Sequence, residues 1–301
     1  MKKTILFLLL FLNGLSNAQQ DAQYTQYMYN TIVVNPAYAG SREALSIFGM
    51  YRTQWVGLDG APDTGVFSVN SPVSEQVGVG LSIINDRIAI SDKTSISADF
   101  AYAIPLSSNF RLSFGIKATA HVFSVDFSKL HVQPGDPNFE NNINSKFSPN
   151  FGAGIYLNSD KFYVGFSVPN LLESEHYDDE VKSVAVDRLH GYFISGYVFD
   201  FGESVKFKPA TLIKAAEGAP LQVDLTGNFL FFDRFTLGAA YRWSGAISCL
   251  AGFQITDNWL LGYSYDSETT KLANYNSGSH EFFLRYEFSF NPKRVVSPRF
   301  F

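Results

Sequence analysis

The feature that most constrains the fold is a long alternation between apolar and polar side chains. Residues 110–122 read FRLSFGIKATAHV, with an apolar residue at each of the seven even positions. Successive side chains of a β-strand point to opposite faces, so the pattern predicts a strand with one apolar face. Its length exceeds the roughly 5–6 residues of a typical strand in a soluble protein. It suits a tilted strand that crosses a bilayer, which needs about 9–11 residues.

The same alternation recurs along the chain and predicts about fourteen strands, an even number as in bacterial outer-membrane barrels. The predicted spans are 44–55, 63–71, 76–85, 94–104, 109–125, 149–157, 161–168, 188–201, 204–214, 220–231, 234–244, 246–255, 259–267 and 279–290. Connections at even junctions are short, whereas the long ones, 126–148, 169–187 and 267–278, all lie at odd junctions. Outer-membrane barrels have this asymmetry. We therefore predict an all-β fold, a transmembrane antiparallel up-and-down β-barrel over residues 44–290.

A soluble β-sandwich is the alternative, because its strands also alternate. Its strands would be shorter and its solvent face richer in large charged side chains. The polar faces here consist mainly of Gly, Ser, Thr, Ala and Asn, and aromatic residues gather at strand ends as in interfacial girdles. We favour the barrel. Beyond the amino terminus no segment approaches 18 continuous apolar residues, so helical membrane spans are not expected.

The amino terminus has the organisation of a secretory signal peptide. Lys2 and Lys3 precede an apolar run at 5–12, and small residues follow up to Ala18. We predict a signal peptide over residues 1–18, cleaved after Ala18. The remaining chain has 21 basic and 28 acidic residues, which argues against a nucleic-acid partner. Cys249 is the only cysteine, so no intrachain disulfide forms.

Residues 26–40, QYMYNTIVVNPAYAG, are apolar and aromatic but alternate poorly. Asn35-Pro36 interrupts them, because proline donates no backbone hydrogen bond. We predict that residues 19–43 form a short periplasmic, plug-like segment that folds into or across the barrel mouth. Residues 32–34 would pack on the inner wall. The alternative is a simple lead-in on the barrel rim. Residues 291–301 are predicted to be a periplasmic C-terminal tail.

The sequence lacks the motifs of common enzymes. It contains no G-x-S-x-G, H-E-x-x-H, P-loop or C-x-x-C pattern, and its five histidines lack metal-ligand spacing. We therefore predict a non-enzyme without catalytic residues, metal or cofactor. The acidic run at 173–180 is interpreted as a solvated loop, with a cation or partner site as the alternative. Aromatic residues in the predicted outer loops are candidate partner-binding anchors: Phe139, Phe147, Tyr177 and Tyr275.

Both ends of the chain resemble the PorP/SprF family. That family has the pattern Q-x-x-x-Y-x-x-N-x-x-x-x-N-P-A-Y-A-G after its signal peptide, followed by a strand that bears R-x-Q-W. The matching residues that we take as the family motif are Asn30, Asn35, Pro36, Ala37, Tyr38, Gly40, Arg52 and Trp55. The ending KRVVSPRFF at 293–301 is also similar to the family's ending.

The resemblance implies an outer-membrane barrel of the type IX secretion system, found in gliding and related bacteria. Such a protein supports secretion and surface anchoring of a large adhesin through the adhesin's C-terminal signal domain. The implied partners are that domain, outer-membrane lipid and other secretion components, including a periplasmic peptidoglycan-binding protein. The alternative is a fatty-acid-transporter-like barrel for hydrophobic small molecules, whose N-terminal Asn-Pro-Ala is matched by residues 35–37.

Overall fold

The computed structural model of the protein describes residues 24–129, 142–172, 174–175, 186–187, 189–216 and 218–289. Within these ranges, fourteen antiparallel strands form a closed barrel. They are β1 (Leu45–Thr53), β2 (Asp63–Pro72), β3 (Val77–Ile88), β4 (Ser91–Pro105), β5 (Arg111–Val125), β6 (Ile143–Asn158), β7 (Phe162–Val168), β8 (His190–Tyr197, continued by Phe199–Phe201), β9 (Val205–Ala216), β10 (Gln222–Phe231), β11 (Phe235–Arg242), β12 (Ala246–Gln254), β13 (Trp259–Glu268) and β14 (Ser279–Phe288). This confirms the predicted fold class.

The remaining described elements are short. Ser174–Glu175 pairs with Val186–Asp187 as a separate two-stranded ladder. Single 3₁₀ turns are formed by Tyr27–Tyr29, Thr31–Val33, Pro36–Tyr38, Phe127–Lys129 and Lys271–Asn274. Among the described residues, no helix has the length and apolar character needed to cross a membrane.

The first and last strands close the barrel. β1 and β14 pair antiparallel from Leu45 opposite Phe288 to Thr53 opposite His280. Every other strand pairs with its neighbours in the chain. Closure gives each strand a hydrogen-bonding partner on both sides, which the hydrocarbon interior of a membrane requires.

The apolar face of each strand points outward. In β5, Ile116 is 63% exposed on the outer face, whereas its neighbours Lys117 and Thr119 are buried in the lumen. A soluble sandwich would bury the apolar face instead. The burial pattern therefore excludes the sandwich alternative and agrees with a lipid-facing outer wall.

Strand β6 differs most from the prediction. It begins at Ile143 rather than 149, so it extends into the predicted connection 126–148. The ladder between β5 and β6 continues past a register shift between Phe123 and Val125. A bulge of this kind lets two strands stay paired although their alternation is broken, and so the alternation does not reveal the extension.

The predicted strand 188–201 is interrupted at Val198. The ladder between β8 and β9 stops at Gly196 opposite Ala210 and resumes at Phe199 opposite Phe207. Pro209 lies in β9 at this gap and remains paired with Gly227 on its other side. Because proline has no N–H to donate, it interrupts one ladder and leaves the other in register.

The two ends of the barrel have different connections, as predicted. The short-turn end of the barrel is the end formed by the connections 73–76, 106–110, 159–161, 202–204, 232–234 and 255–258. The long-loop end is the opposite end, whose described connecting residues are 54–62, 89–90, 126–129, 142, 169–172, 174–175, 186–187, 189, 218–221, 243–245 and 269–278. In outer-membrane barrels the long loops face outward and the short turns face the periplasm.

Candidate functional site

The N-terminal segment, defined here as residues 24–40, lies inside the barrel. Its side chains include several of the most buried in the described chain, among them Met28, Ile32, Asn35 and Ala37. It contacts inward-facing residues of β1, β2, β5 to β7, β13 and β14 through the hydrogen bonds described below. Residues 26–40 of this segment are the Pro-interrupted stretch that the sequence singled out.

The beginning of the segment binds the long-loop half of the lumen. The backbone N–H groups of Thr25 and Gln26 donate to the two carboxylate oxygens of Glu281, at 3.0 and 2.9 Å. The Thr25 hydroxyl donates to Asp266 Oδ2 at 2.6 Å. Glu281 lies near the start of β14 and Asp266 near the end of β13, both at the long-loop end. The segment therefore reaches well beyond the short-turn mouth at which it was expected.

A buried group of charges holds this beginning in place. Arg52 Nη2 lies 2.7 Å from Asp266 Oδ2, and Arg52 Nη1 lies 3.1 Å from Glu281 Oε2. Arg52 Nη1 also donates to the Thr25 hydroxyl at 3.1 Å. All three charged side chains are almost fully buried. We call Arg52, Asp266 and Glu281 the lumen ion cluster; it explains why the motif strand carries an arginine.

The middle of the segment crosses the lumen. Asn30 Oδ1 accepts a 2.8 Å bond from the Ser68 hydroxyl of β2. Lys117 of β5 donates to the Ile32 carbonyl at 3.2 Å. Ser167 of β7 donates to the Val34 carbonyl at 2.7 Å. These bonds satisfy polar groups that would otherwise be buried without partners, which is costly.

Asn35 fixes the turn that precedes the first strand. Its Oδ1 accepts from Ala37 N at 3.0 Å and caps the 3₁₀ turn Pro36–Tyr38, with proline at the first position. Its Nδ2 donates to the Ile155 carbonyl of β6 at 3.1 Å. The side chain thus joins a local cap to the barrel wall. Both parts of the Asn-Pro motif therefore have a structural role.

Inward-facing glycines make room for the segment. A Cβ atom on Gly80 would lie 2.2 Å from Ile32 Cδ1, and one on Gly115 would lie 2.2 Å from Ala37 N. A Cβ on Gly154 would lie 2.2 Å from Asn35 Oδ1. These distances are far shorter than van der Waals contact, so only glycine permits this approach.

We predict that Gly154→Ala destabilises the barrel by about 1–3 kcal/mol, because the new methyl group collides with Asn35. The measurement is the urea midpoint of the folded barrel in detergent. Gly49→Ala is the matched control: a Cβ there meets no atom within 4 Å. A Gly154→Ala variant as stable as Gly49→Ala would contradict the observed packing of Asn35.

The other motif residues lie at the two ends of the barrel. Gly40 has a φ of +72°, and a Cβ on it would lie 2.7 Å from Gly78 Cα at the short-turn end. At the long-loop end, Trp55 N donates to Ser279 Oγ at 3.2 Å and its indole N–H donates to Glu268 at 3.0 Å. The motif therefore connects the N-terminal segment and the first loop to the rest of the barrel.

The predicted anchor residues are not brought together. Tyr275 is 71% exposed in a connection at the long-loop end. Phe147 is 64% exposed, but it lies within β6 rather than in a loop, because that strand begins earlier than predicted. Phe139 and Tyr177 lie outside the described residues, as does the acidic run 173–180 apart from the backbone of Ser174–Glu175.

Charged groups in the lumen are largely paired. Besides the lumen ion cluster, Lys117 lies 3.0 Å from Asp99 and Arg242 lies 3.1 Å from Asp224. The sequence around Asp266 and Glu281 does not mark them as partners of the segment, although an inward-facing carboxylate in a barrel strand is a signal for a buried pair. Among the described residues, no group of three or more His, Cys, Asp or Glu side chains is arranged to hold a metal ion.

Comparison with known proteins places this geometry in context. The family model of the type IX secretion system membrane protein PorP/SprF matches residues 16–286. No curated protein matches the chain significantly. Among solved structures, the CymD monoaromatic hydrocarbon channel is 10% identical with a TM-score of 0.52, covering 88% of this chain and 94% of that one. The Ralstonia pickettii toluene transporter TbuX is 8% identical with a TM-score of 0.50, covering 87% and 93%. At these identities the structures share the fold alone.

Proposed function

Since this chain belongs to the PorP/SprF family of type IX secretion system membrane proteins, we propose that it supports secretion and surface anchoring of a large adhesin. It is an outer-membrane β-barrel and a membrane component of that secretion system. The proposed partner is the adhesin's C-terminal signal domain. In this proposal the signal peptide, residues 1–18, directs export and is removed, and the barrel itself is not an enzyme.

The observation that carries the proposal is the occupied lumen. Residues 24–40 are hydrogen-bonded to strands on opposite walls, through Glu281 on one side and Ile155 and Ser167 on another. We propose that the segment acts as a plug. The occupied lumen argues against an open pore. The family match favours anchoring over the hydrophobic-molecule transporter, whose N-terminal segment carries the same Asn-Pro-Ala.

The long-loop end supplies the proposed surface for the adhesin domain. The connections 54–62 and 269–278 are bonded to each other: Val56 N donates to the Gly278 carbonyl and Ser277 N donates to the Val56 carbonyl, at 2.9 and 2.7 Å. Together with the Trp55–Glu268 bond, these contacts fix a rim from which Tyr275 projects. An exposed aromatic residue on a fixed backbone is a typical anchor of a protein interface.

The short-turn end supplies the proposed contact for periplasmic secretion components, including a peptidoglycan-binding protein. A cavity of about 610 Å³ opens there between the N-terminal segment and β3 to β6. Polar and charged side chains border it, among them Glu43, Gln76 and Arg111, while Gly40 and Ala103 lie in its wall. Arg111 and Glu43 form a 3.0 Å ion pair. The charged and polar side chains at the border of this cavity suit a transient hydrophilic partner.

The test is the surface proteome of a strain that lacks this gene. Proteins that carry a type IX C-terminal signal domain are quantified on intact cells and in the culture medium. We expect one or a few large adhesins to leave the cell surface, while other type IX substrates remain. If all such proteins reach and stay on the surface without the barrel, the proposal is wrong. Uptake of labelled long-chain lipid by proteoliposomes would favour the transporter instead.

We predict that Tyr275→Ala reduces surface retention of the adhesin, because one interface anchor typically contributes about 2 kcal/mol or more. The measurement is adhesin on cells against adhesin in the medium, with the variant expressed in the deletion strain. Phe232→Ala is the matched control: it is 69% exposed, similar to Tyr275, but lies at the short-turn end. Equal retention by both variants would show that Tyr275 is not an anchor.

A further inference from the structure

The outer wall of the barrel carries an apolar groove near the short-turn end. It has a volume of about 480 Å³ and lies across β11, β12 and β13. Ala251 of β12 is paired in register with Leu237 of β11 on one side and with Tyr263 of β13 on the other. A small side chain between two large ones leaves a depression in the wall, which we call the outer groove.

The lining of the outer groove is suited to a hydrocarbon chain. No charged side chain lines it, and Leu237 and Leu261 are exposed on the lipid-facing side of their strands. The rings of Phe235 and Phe253 lie beside it with their centroids 4.8 Å apart. Apolar ligands gain little from leaving one apolar environment for another, so in a membrane the fit of the surface decides binding. A depression bordered by packed rings provides such a fit.

A positive charge at the short-turn end of the outer groove provides the second observation. Arg234 lies in the turn that precedes β11, and its carbonyl accepts a 2.8 Å bond from Gln254 N of β12. The Arg234 side chain is exposed and forms no ion pair or hydrogen bond with the residues that the structure describes. The adjacent carboxylate of Asp233 is paired with Lys206 at 2.6 Å. Arg234 therefore offers an unpaired guanidinium beside two of the strands that form the groove.

We propose that a phospholipid of the periplasmic leaflet binds at this site, with one acyl chain in the outer groove and its phosphate on Arg234. The short turns of outer-membrane barrels face the periplasm, so Arg234 lies on the side of that leaflet's headgroups. A guanidinium is well suited to bind a phosphate group. The combination of an apolar groove and an unpaired cation at its end favours a lipid over a second copy of the barrel. The proposal goes beyond anchoring, because it assigns a ligand to the outer wall and does not depend on the adhesin.

The test is photolabelling of the full-length barrel, folded in detergent, by phosphatidylglycerol that carries a diazirine in one acyl chain. We expect saturable labelling that mass spectrometry locates in β11 to β13 and that unlabelled phosphatidylglycerol competes away. Ala251→Phe fills the outer groove and should weaken labelling there about threefold or more, because the packing that holds the chain is lost. Ala118→Phe is the matched control: Ala118 is exposed on the outer wall of β5, seven strands from β12 in either direction.

Arg234→Gln tests the contact with the headgroup. It should raise the concentration of unlabelled phosphatidylglycerol that halves the labelling about fivefold, the effect expected of one basic residue near anionic lipid. Arg87→Gln is the control, because Arg87 is an exposed arginine near the long-loop end. That variant should bind phosphatidylglycerol like the unmodified protein.

Folding of each variant is checked by its heat-dependent shift on gel electrophoresis, and Ala251→Leu replaces Ala251→Phe if the latter does not fold. The inference is overturned if labelling is not saturable, if it is spread evenly around the barrel, or if a folded Ala251 variant is labelled as strongly as Ala118→Phe. Equal binding by Arg234→Gln and Arg87→Gln would also overturn it. A dimer in lipid nanodiscs that Ala251→Phe converts to a monomer would do the same, because it would identify a second copy of the barrel as the occupant.

Discussion

A barrel that lacks residues 24–40 is expected to conduct ions in planar bilayers, whereas the complete protein is expected to conduct little. The segment occupies the lumen and bonds to its wall through Glu281, Lys117 and Ser167. Without it, those polar side chains would line a water-filled passage. The barrel should still form, because its strands pair with each other independently of the segment.

The control for this deletion is the removal of residues 271–274, a solvent-exposed 3₁₀ turn outside the lumen. That variant should keep the low conductance of the complete protein. Both variants are first shown to be folded barrels by electrophoresis. A folded barrel without residues 24–40 that conducts no more than the control would refute the proposal that the segment is a plug.

Replacing Arg52 by leucine should have the largest effect on stability of any single substitution in the lumen. The change leaves Asp266 and Glu281 buried without their counter-charge, and breaking a buried ion pair in this way costs about 3–5 kcal/mol. It also removes the bond from Arg52 to Thr25. The measurement is the free energy of unfolding of the barrel in urea and detergent, at neutral pH.

Two variants complete that experiment. Arg87→Leu removes an exposed ion pair with Asp92, in which the arginine side chain is 65% exposed, and should cost at most about 1 kcal/mol. Adding Asp266→Asn and Glu281→Gln to Arg52→Leu should restore much of the stability, because the unpaired charges are gone. If Arg52→Leu costs no more than Arg87→Leu, the lumen ion cluster does not stabilise the segment.

The barrel was predictable because its main signal is local. The alternation within 110–122 fixes which side chains share a face, and the structure places Ile116 outward and Lys117 inward as that pattern requires. The connection lengths indicated an up-and-down barrel. In such a barrel, strands that follow each other in the chain pair with each other, so the strand order was predicted as well. The predicted strand boundaries were wrong where strand pairing rather than alternation determines them. An example is β6, which extends past a bulge to Ile143.

The contacts of the N-terminal segment were not predictable in the same way. Arg52 and Glu281 are 229 residues apart in the chain, and nothing near either residue indicates the other. The sequence did mark Asn35-Pro36 as unusual and placed residues 32–34 against the inner wall. The sequence predicted the segment at the barrel mouth, because nothing in it indicates how far the segment enters the lumen. The bonds from Thr25 and Gln26 to Glu281 supply that depth.

The family motif also becomes physically interpretable. Asn35 caps a turn and binds the wall, Gly40 adopts a backbone conformation suited to glycine beside Gly78, and Arg52 forms ion pairs with two buried carboxylates. Each of these roles concerns how the segment sits in the lumen. We propose that the exposed rim around Tyr275 provides the specificity for a particular partner.

Direct binding between the barrel and the C-terminal signal domain of an adhesin tests the central claim most directly. The full-length barrel is placed in lipid nanodiscs and titrated with the purified signal domain of each large adhesin that leaves the surface of the deletion strain. We predict saturable one-to-one binding that Tyr275→Ala weakens and Phe232→Ala does not. A folded barrel that binds none of these domains would contradict the account.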